Sequence, residues 1–224
     1  MLRSGLVPFP SLATALVFLA WPTPVLAQVK VACIGDSITA GSGLPDPATQ
    51  SYPAVLGSLL GADFDVRNYG VSGTTMLQNG DHPYWTTSAF TDSSDWDPDV
   101  VIIMLGTNDS KPWNWVYGDE YLRNYREMIQ HYASLPSAPA VFICTPCPVY
   151  GDNAFSISPT VVEDDIVPRV WVLGDLADVP VIDVFTAMSG IPDDFPDFVH
   201  PNALGYRVLT PAVVQAVDAM LGSA

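Results

Sequence analysis

The residues with the clearest chemical potential are Ser37, His200 and Asp197. Ser37 follows an apolar run that begins at Val29 and is typical of a buried strand, so we expect its hydroxyl in a tight turn at the carboxyl end of that strand. Ligands of open α/β sheets bind just beyond such strand ends. A small polar residue after a strand is also ordinary turn chemistry, and Ser37 alone does not distinguish the two interpretations.

A serine nucleophile needs a base, and the chain has three histidines, at positions 82, 131 and 200. His131 falls on a predicted helix among polar neighbours and is interpreted as a surface residue. Asp197 precedes His200 by three residues, a spacing at which one turn brings the carboxylate to one ring nitrogen while the other nitrogen faces outward. These residues predict a Ser-His-Asp arrangement. The alternative is a capping aspartate beside a surface histidine.

Acyl transfer at a serine also needs hydrogen-bond donors for the developing oxyanion. The candidates are the backbone N–H groups of Ser37 and Gly73 and the side-chain amide of Asn108. Taken singly, Gly73 and Asn108 are ordinary turn residues. The predicted first three strands, however, end in glycine-bearing turns at positions 35, 70 and 106, and the carboxyl ends of parallel strands lie at one edge of a sheet. The three candidates are therefore expected in one crevice.

The hydrophobic pattern alternates strands with helices. The predicted strands are 29–34, 64–69, 99–105, 140–144 and 179–184. The predicted helices are 50–61, 120–135, 160–178 and 202–221, with a kink or break at Pro211. Residues 74–98 are predicted to form a long loop. This alternation predicts an α/β fold, a three-layer α/β/α sandwich around a five-stranded parallel sheet.

The first 27 residues have the pattern of a secretory signal peptide. One charge, Arg3, precedes an apolar stretch that ends in Val25-Leu26-Ala27, which predicts cleavage near Ala27 and export to the periplasm or the extracellular space. Prolines at positions 8, 10, 22 and 24 interrupt the apolar stretch and argue against a membrane anchor. Residues 28–224 are expected to form a single domain.

The composition disfavours several classes of partner and ligand. Lys and Arg number 8 against 24 Asp and Glu, a formal net charge of −16, so nucleic acid and anionic membranes are not expected as partners. The odd number of cysteines argues against a full disulfide framework. Cys144 and Cys147 form either a local disulfide or a pair of buried thiols. No second cysteine pair or nearby histidine accompanies them, so no metal site is predicted.

Four stretches resemble the four blocks of the SGNH (GDSL-type) hydrolases. They are Gly35-Asp36-Ser37-Ile38-Thr39, Asn68-Tyr69-Gly70-Val71-Ser72-Gly73, Gly106-Thr107-Asn108-Asp109 and Asp197-x-x-His200. The resemblance implies Ser37 as the nucleophile, Gly73 and Asn108 as oxyanion donors with the Ser37 N–H, and His200 oriented by Asp197. It also implies a flavodoxin-like strand order 2-1-3-4-5 and ester hydrolysis through an acyl-enzyme, without metal or cofactor.

The stretches 82–85 and 106–115 are similar to exported SGNH esterases that remove acetyl groups from carbohydrates. The candidate substrate-binding residues are Asp36, His82, Tyr84, Trp85, Lys111 and Trp113, although aromatic residues of this kind also pack in cores. The expected substrate is a small-molecule or polysaccharide ester, and the oligomeric state is left open. One alternative is a lysophospholipase, thioesterase or arylesterase with the same triad. Another is a catalytically inactive glycan-binding domain.

Overall fold

A parallel β-sheet lies at the centre of the protein. The computed structural model describes residues 27–221, so the predicted signal peptide lies outside the described residues except for Ala27. The five strands are β1 (Val29–Gly35), β2 (Phe64–Gly70), β3 (Val100–Met104), β4 (Ala140–Cys144) and β5 (Val181–Ile182). All neighbouring pairs are parallel, and the order is β2-β1-β3-β4-β5, which confirms the predicted topology.

Helices connect the strands and cover both faces of the sheet. The α-helices are α1 (Ser37–Ala40), α2 (Pro47–Gln50), α3 (Tyr52–Leu60), α4 (Ser88–Asp95), α5 (Pro112–Trp115), α6 (Tyr121–Ala133), α7 (Val167–Ala177), α8 (Val184–Met188) and α9 (Ala203–Leu221). Of the kink or break predicted at Pro211, the break is wrong, because α9 continues through this residue. Within residues 27–221, no helix combines the length and apolarity that crossing a bilayer requires.

Two apolar layers hold the sandwich together, because successive strand residues point to opposite faces. On one face, Val31 and Cys33 of β1 join a cluster with buried side chains of α3, α8 and α9. On the other, Ala32 and Ile34 join a cluster with buried side chains of α6 and α7. The strand β3 and the part of β1 after Lys30 are buried on both faces, as their apolar sequences predict.

The prediction of one long loop over residues 74–98 is wrong. The segment contains a 3₁₀ turn, Tyr84–Thr86, followed by α4. Thr87 caps α4 by accepting the N–H of Phe90 at 3.3 Å, and the Phe90 ring packs 4.6 Å from that of His131. His131, predicted on the surface, is partly buried there, and Ser94 Oγ lies 2.8 Å from its Nε2. Aromatic packing therefore helps to stabilise α4, although the sequence of this segment has little helical periodicity.

The second half of the chain differs from prediction in smaller ways. The helix predicted over 160–178 begins as a π-helix, Val161–Ile166, before α7, and β5 has only two residues. All three cysteines are buried free thiols, so Cys144 and Cys147 form no local disulfide.

Candidate active site

Ser37, Gly73 and Asn108 lie just beyond the ends of β1, β2 and β3, and Asp197 and His200 lie just before α9. Ser37 is the first residue of α1, a single helical turn, and not part of the predicted tight turn. Asp36 caps this helix: its Oδ1 accepts the N–H of Ile38 at 2.9 Å. From α9, the hydroxyl of Tyr206 donates to the carbonyl of Ile38 and ties α1 to the rest of the protein.

Close backbone packing fixes the position of α1 against the sheet. A β-carbon at Gly70 would lie only 2.2 Å from the backbone nitrogen of Ala40, so glycine alone allows the end of β2 to approach α1 this closely. Beyond β2, Gly73 has a φ of +84°, a backbone conformation that favours glycine. These two glycines bring the segments that carry Ser37 and Gly73 together.

Ser37, His200 and Asp197 form one row of hydrogen bonds. The Oγ of Ser37 lies 2.8 Å from Nε2 of His200, and Nδ1 of His200 lies 2.7 Å from Oδ2 of Asp197. The other carboxylate oxygen of Asp197 accepts the backbone N–H groups of Val199 at 3.0 Å and His200 at 2.7 Å. The single turn from 197 to 200 therefore orients the imidazole towards Ser37.

Asp197 is held in its ionised form. Partial burial raises the pKa of its carboxyl, but hydrogen bonds from the backbone and ring of His200 and from the backbone of Val199 outweigh burial, and the pKa lies below its ordinary value. A carboxylate on Nδ1 keeps the proton of a neutral imidazole on that nitrogen and leaves Nε2 free to accept the Ser37 proton.

Asn108 connects the β3 and β2 segments of the site. Its Nδ2 donates to the carbonyl of Thr74 at 3.1 Å and lies 3.4 Å from Oδ2 of Asp36. The backbone carbonyl of Asn108 accepts Nδ2 of Asn114 at 2.9 Å. The amide is thus held beside Gly73, the residue that precedes Thr74, and both line the cleft above Ser37.

Two buried carboxyl groups, Asp36 and Asp109, lie beneath this arrangement. Both oxygens of Asp109 accept backbone N–H groups, from Met76 at 3.0 Å and from Leu77 at 2.7 Å. Burial raises the pKa of Asp36 to about 6 and that of Asp109 to about 7, although these N–H donors partly offset the effect at Asp109. Asp109 ends the block Gly106-Thr107-Asn108-Asp109, but the sequence predicted no role for it. Its place beside Asn108 was the available signal.

A cleft of about 300 Å³ opens above Ser37. It contains five predicted site residues, Ser37, Gly73, Asn108, Lys111 and His200. Sequence reasoning missed the other six lining residues, Ser42, Ser72, Thr107, Phe155, Ile157 and Val199. Three of the six, at 72, 107 and 199, are chain neighbours of predicted residues and could have been found that way. Phe155 and Ile157 lie in a variable loop with no such signal.

Three of the predicted substrate-binding side chains make hydrogen bonds inside the protein and do not line the cleft. Tyr84 is fully buried and its hydroxyl donates to the carbonyl of Tyr69 at 2.7 Å, so it cannot contact a ligand in the cleft. Trp85 donates from Nε1 to the carbonyl of Met76 at 2.8 Å and does not line the cleft. Asp36 is also buried, and its carboxylate accepts hydrogen bonds from the backbone N–H of Ile38 and from Nδ2 of Asn108. These positions correct the expectation of substrate contact.

The other three substrate candidates lie at or near the cleft. Lys111 lines it, with Nζ 3.9 Å from Oδ2 of Asp81. Trp113 is half-exposed outside the cleft, and its Nε1 donates to the same Asp81 oxygen at 2.8 Å. His82 is exposed beside Gly73, its Nδ1 3.7 Å from where a β-carbon of that glycine would lie. Within residues 27–221, no group of three or more His, Cys, Asp or Glu side chains could hold a metal ion.

Solved structures share this fold at low sequence identity. A carbohydrate acetylesterase from Sinorhizobium meliloti superposes with a TM-score of 0.73 and 22% identity, covering 86% of this chain and 100% of that one. An aryl esterase of M. smegmatis superposes with a TM-score of 0.68 and 24% identity, covering 85% of this chain and 99% of that one. At these identities the likeness shows the fold alone.

A curated protein and a family model match this chain in sequence. An acetylxylan esterase of Xylanibacter ruminicola is 35% identical over 214 residues, which cover 88% of this chain and 44% of that protein. The chain therefore spans less than half the length of this curated relative. The GDSL-like lipase/acylhydrolase family model matches residues 33–208, a range that contains Ser37, Gly73, Asn108, Asp197 and His200. The chain belongs to the GDSL-like lipase/acylhydrolase family.

Proposed function

We propose that this protein is a serine ester hydrolase that removes short acyl groups, above all acetyl, from carbohydrates. The observation that carries the proposal is the row of hydrogen bonds from Asp197 through His200 to Ser37, with distances of 2.7 and 2.8 Å, at the floor of a cleft. A hydroxyl, a base and an orienting carboxylate in this geometry form the arrangement that activates a serine nucleophile.

In the first step, Oγ of Ser37 bonds to the acyl carbon while Nε2 of His200 takes the serine proton. Asp197 stabilises the imidazolium without taking that proton itself. When the tetrahedral intermediate collapses, the bond from the acyl carbon to the alcohol oxygen breaks and His200 gives the proton to that oxygen. Water then attacks the acyl-enzyme with His200 as the base, which frees the carboxylic acid and restores Ser37.

Three donors converge where the oxyanion would form. Ser37 begins α1, and the first N–H groups of a helix have no acceptor inside the helix. Gly73 offers its N–H without a side chain in the way. Asn108 would offer the amide N–H of its longer contact, 3.4 Å to Oδ2 of Asp36, while the carbonyl of Thr74 holds the other at 3.1 Å. A donor of this kind contributes about 10² to 10³ in turnover.

The proposed preference for a short acyl group rests on the cleft and on the relative. At about 300 Å³, the cleft is at the lower end of the range for ligand pockets, which favours an acetyl over a long acyl chain. Hydroxyl and ammonium groups of Ser42, Ser72 and Lys111 give its wall a polar part that suits a sugar. The relative named as an acetylxylan esterase supports the same substrate class.

The proposal is tested by acetate release from acetylated xylan, acetylated manno-oligosaccharides and acetylated sialic acids, beside aryl esters from acetyl to octanoyl. We expect acetate from at least one carbohydrate and a rate that falls with acyl length. A pure enzyme that cleaves octanoyl faster than acetyl esters would contradict the proposal and support the lysophospholipase or thioesterase alternative. A protein that binds the polysaccharide but hydrolyses no ester would support the inactive glycan-binding alternative.

We also propose that the enzyme is exported after cleavage near Ala27. Only the sequence of residues 1–27 supports this, and export would bring the enzyme to polysaccharide outside the cytoplasm. N-terminal sequencing of the protein recovered from the periplasm or medium of an expressing bacterium should begin at Gln28. Retention of Met1 in the exported protein would contradict the proposal.

A further inference from the structure

Phe155 is an exposed aromatic side chain at the edge of the cleft. It is 42% exposed, and its ring meets that of His200 edge-to-face, with centroids 5.0 Å apart and an interplanar angle of 88°. Of the described residues that line the cleft, Phe155 is the one Phe, Tyr or Trp. A ligand that occupies the cleft next to His200 would therefore contact this ring.

Internal hydrogen bonds hold the loop that presents Phe155. Oδ1 of Asn153 accepts the N–H groups of Phe155 and Ile157, each at 3.1 Å, and its Nδ2 donates to the carbonyls of Gly151 at 3.1 Å and Ile157 at 2.9 Å. The N–H of Ser158 donates to Oγ of Ser110, two residues beyond Asn108, at 3.1 Å. The loop is thus fastened to the segment that carries Asn108, so the position of Phe155 is built into the site.

The proposed reaction identifies which part of the substrate lies beside Phe155. When the bond from the acyl carbon to the alcohol oxygen breaks, Nε2 of His200 gives its proton to that oxygen, so the alcohol must lie within hydrogen-bond reach of His200. In the proposed mechanism, the acyl oxygen lies near the donors at Gly73 and Asn108. Because Phe155 packs on His200, it is on the side of the leaving alcohol.

We propose that Phe155 is the platform for the sugar ring that leaves as the alcohol. This inference rests on the proposed function and names the substrate contact that selects a carbohydrate. A pyranose ring has apolar C–H faces and a rim of hydroxyls. An exposed aromatic ring matches the faces, and Ser42 and Ser72, whose hydroxyl oxygens are 2.8 Å apart in the same cleft, offer partners for the rim.

The test compares Phe155→Ala, Phe155→Trp and wild type on three acetyl esters: an acetylated xylo-oligosaccharide, ethyl acetate and phenyl acetate. We expect Phe155→Ala to lower kcat/KM for the oligosaccharide about tenfold, chiefly through KM, and to change ethyl acetate hydrolysis by less than about threefold. Phe155→Trp should retain most of the oligosaccharide activity. Tyr117→Ala, which removes an equally exposed ring outside the cleft, should leave all three rates unchanged.

Each contrary outcome has a distinct meaning. Equal losses on the oligosaccharide and ethyl acetate would overturn the platform, because Phe155 would then act only by positioning His200. No loss on either substrate would also overturn it. A loss on phenyl acetate greater than that on the oligosaccharide would assign the platform to aromatic alcohols instead. A wild-type enzyme that cleaves ethyl acetate but no carbohydrate ester would overturn the proposed function and the sugar platform together.

Discussion

Oδ1 of Asp109 accepts the backbone N–H of Leu77 at 2.7 Å, in the protein interior and 32 residues away along the chain. Its other oxygen accepts the neighbouring N–H of Met76 at 3.0 Å. This carboxylate therefore fastens the segment after Gly73 to the residue that follows Asn108. The two proposed oxyanion donors from β2 and β3 are held in register by a side chain that touches neither the cleft nor Ser37.

Replacing Asp109 should destabilise the protein. Asp109→Ala would leave the N–H groups of Met76 and Leu77 buried without an acceptor, and we expect the free energy of unfolding to fall by about 2 to 5 kcal/mol. Urea denaturation followed by tryptophan fluorescence measures the loss. The matched control is Asp99→Ala, since Asp99 also accepts a backbone N–H, that of Lys30 at 2.8 Å, but is exposed. If the free energy of unfolding of Asp109→Ala fell no more than that of the control, Asp109 would not hold the two segments together as argued above.

The same buried carboxyls predict how stability depends on pH. The folded-state pKa values of Asp36 and Asp109, about 6 and about 7, lie above the ordinary value of 3.8, so the folded protein binds more protons than the unfolded chain between pH 4 and 7. The free energy of unfolding should therefore fall as pH rises through this window, by up to about 1.4 kcal/mol per pH unit for each group. The lowered pKa of Asp197 acts only below pH 4, where stability is lost on acidification.

Asp109→Asn separates this effect from other titrations. The variant removes the group with the higher of the two raised pKa values, so its stability should depend less on pH between 5 and 8 than that of wild type, whatever its absolute stability. Urea denaturation at four pH values across the window provides the comparison. If the free energies of unfolding of the two proteins changed equally with pH, Asp109 would not titrate between pH 5 and 8.

Ser37→Ala should abolish ester hydrolysis and leave the fold intact. Loss of the nucleophile in a triad that acts as a unit costs about 10⁶ in turnover. The measurement is acetate release by pure protein, with circular dichroism to check folding. Ser134→Ala is the matched control, because it removes an exposed serine hydroxyl that lies outside the cleft. Esterase activity of Ser37→Ala near the wild-type level would refute the mechanism.

Asn108→Ala should reduce activity without abolishing it. One oxyanion donor contributes about 10² to 10³ in turnover, and the N–H groups of Ser37 and Gly73 remain in the variant. Steady-state kinetics on an acetyl ester should show the loss mainly in kcat, because the interaction strengthens in the transition state. A loss as complete as that of Ser37→Ala would mean that Asn108 has a different role.

The candidate site residues differ in how far the local sequence predicts their positions. Ser37, Gly73 and Asn108 share one cleft, as predicted, because each follows a recognisable strand and parallel strands bring their carboxyl ends to one edge. Tyr84 and Trp85 were misassigned because an aromatic residue in a polar segment has the same local pattern whether it faces a cleft or a core. The helix α4, hidden in a segment of low periodicity, depends on contacts with α6 that no local pattern contains.

The sequence by itself determined the chain order of strands and helices, the parallel sheet and the few side chains at its edge able to perform acyl transfer. Its four family blocks further implied the strand order and the roles of those side chains. Tertiary structure alone placed Phe155 and Ile157 in the wall of the cleft. Phe155 reaches His200 through a loop fastened by Ser158 to Ser110, 48 residues away, and Asp109 acts on Leu77 across 32 residues. Such contacts arise from packing between distant segments, and hydrophobic periodicity reports only on near neighbours along the chain.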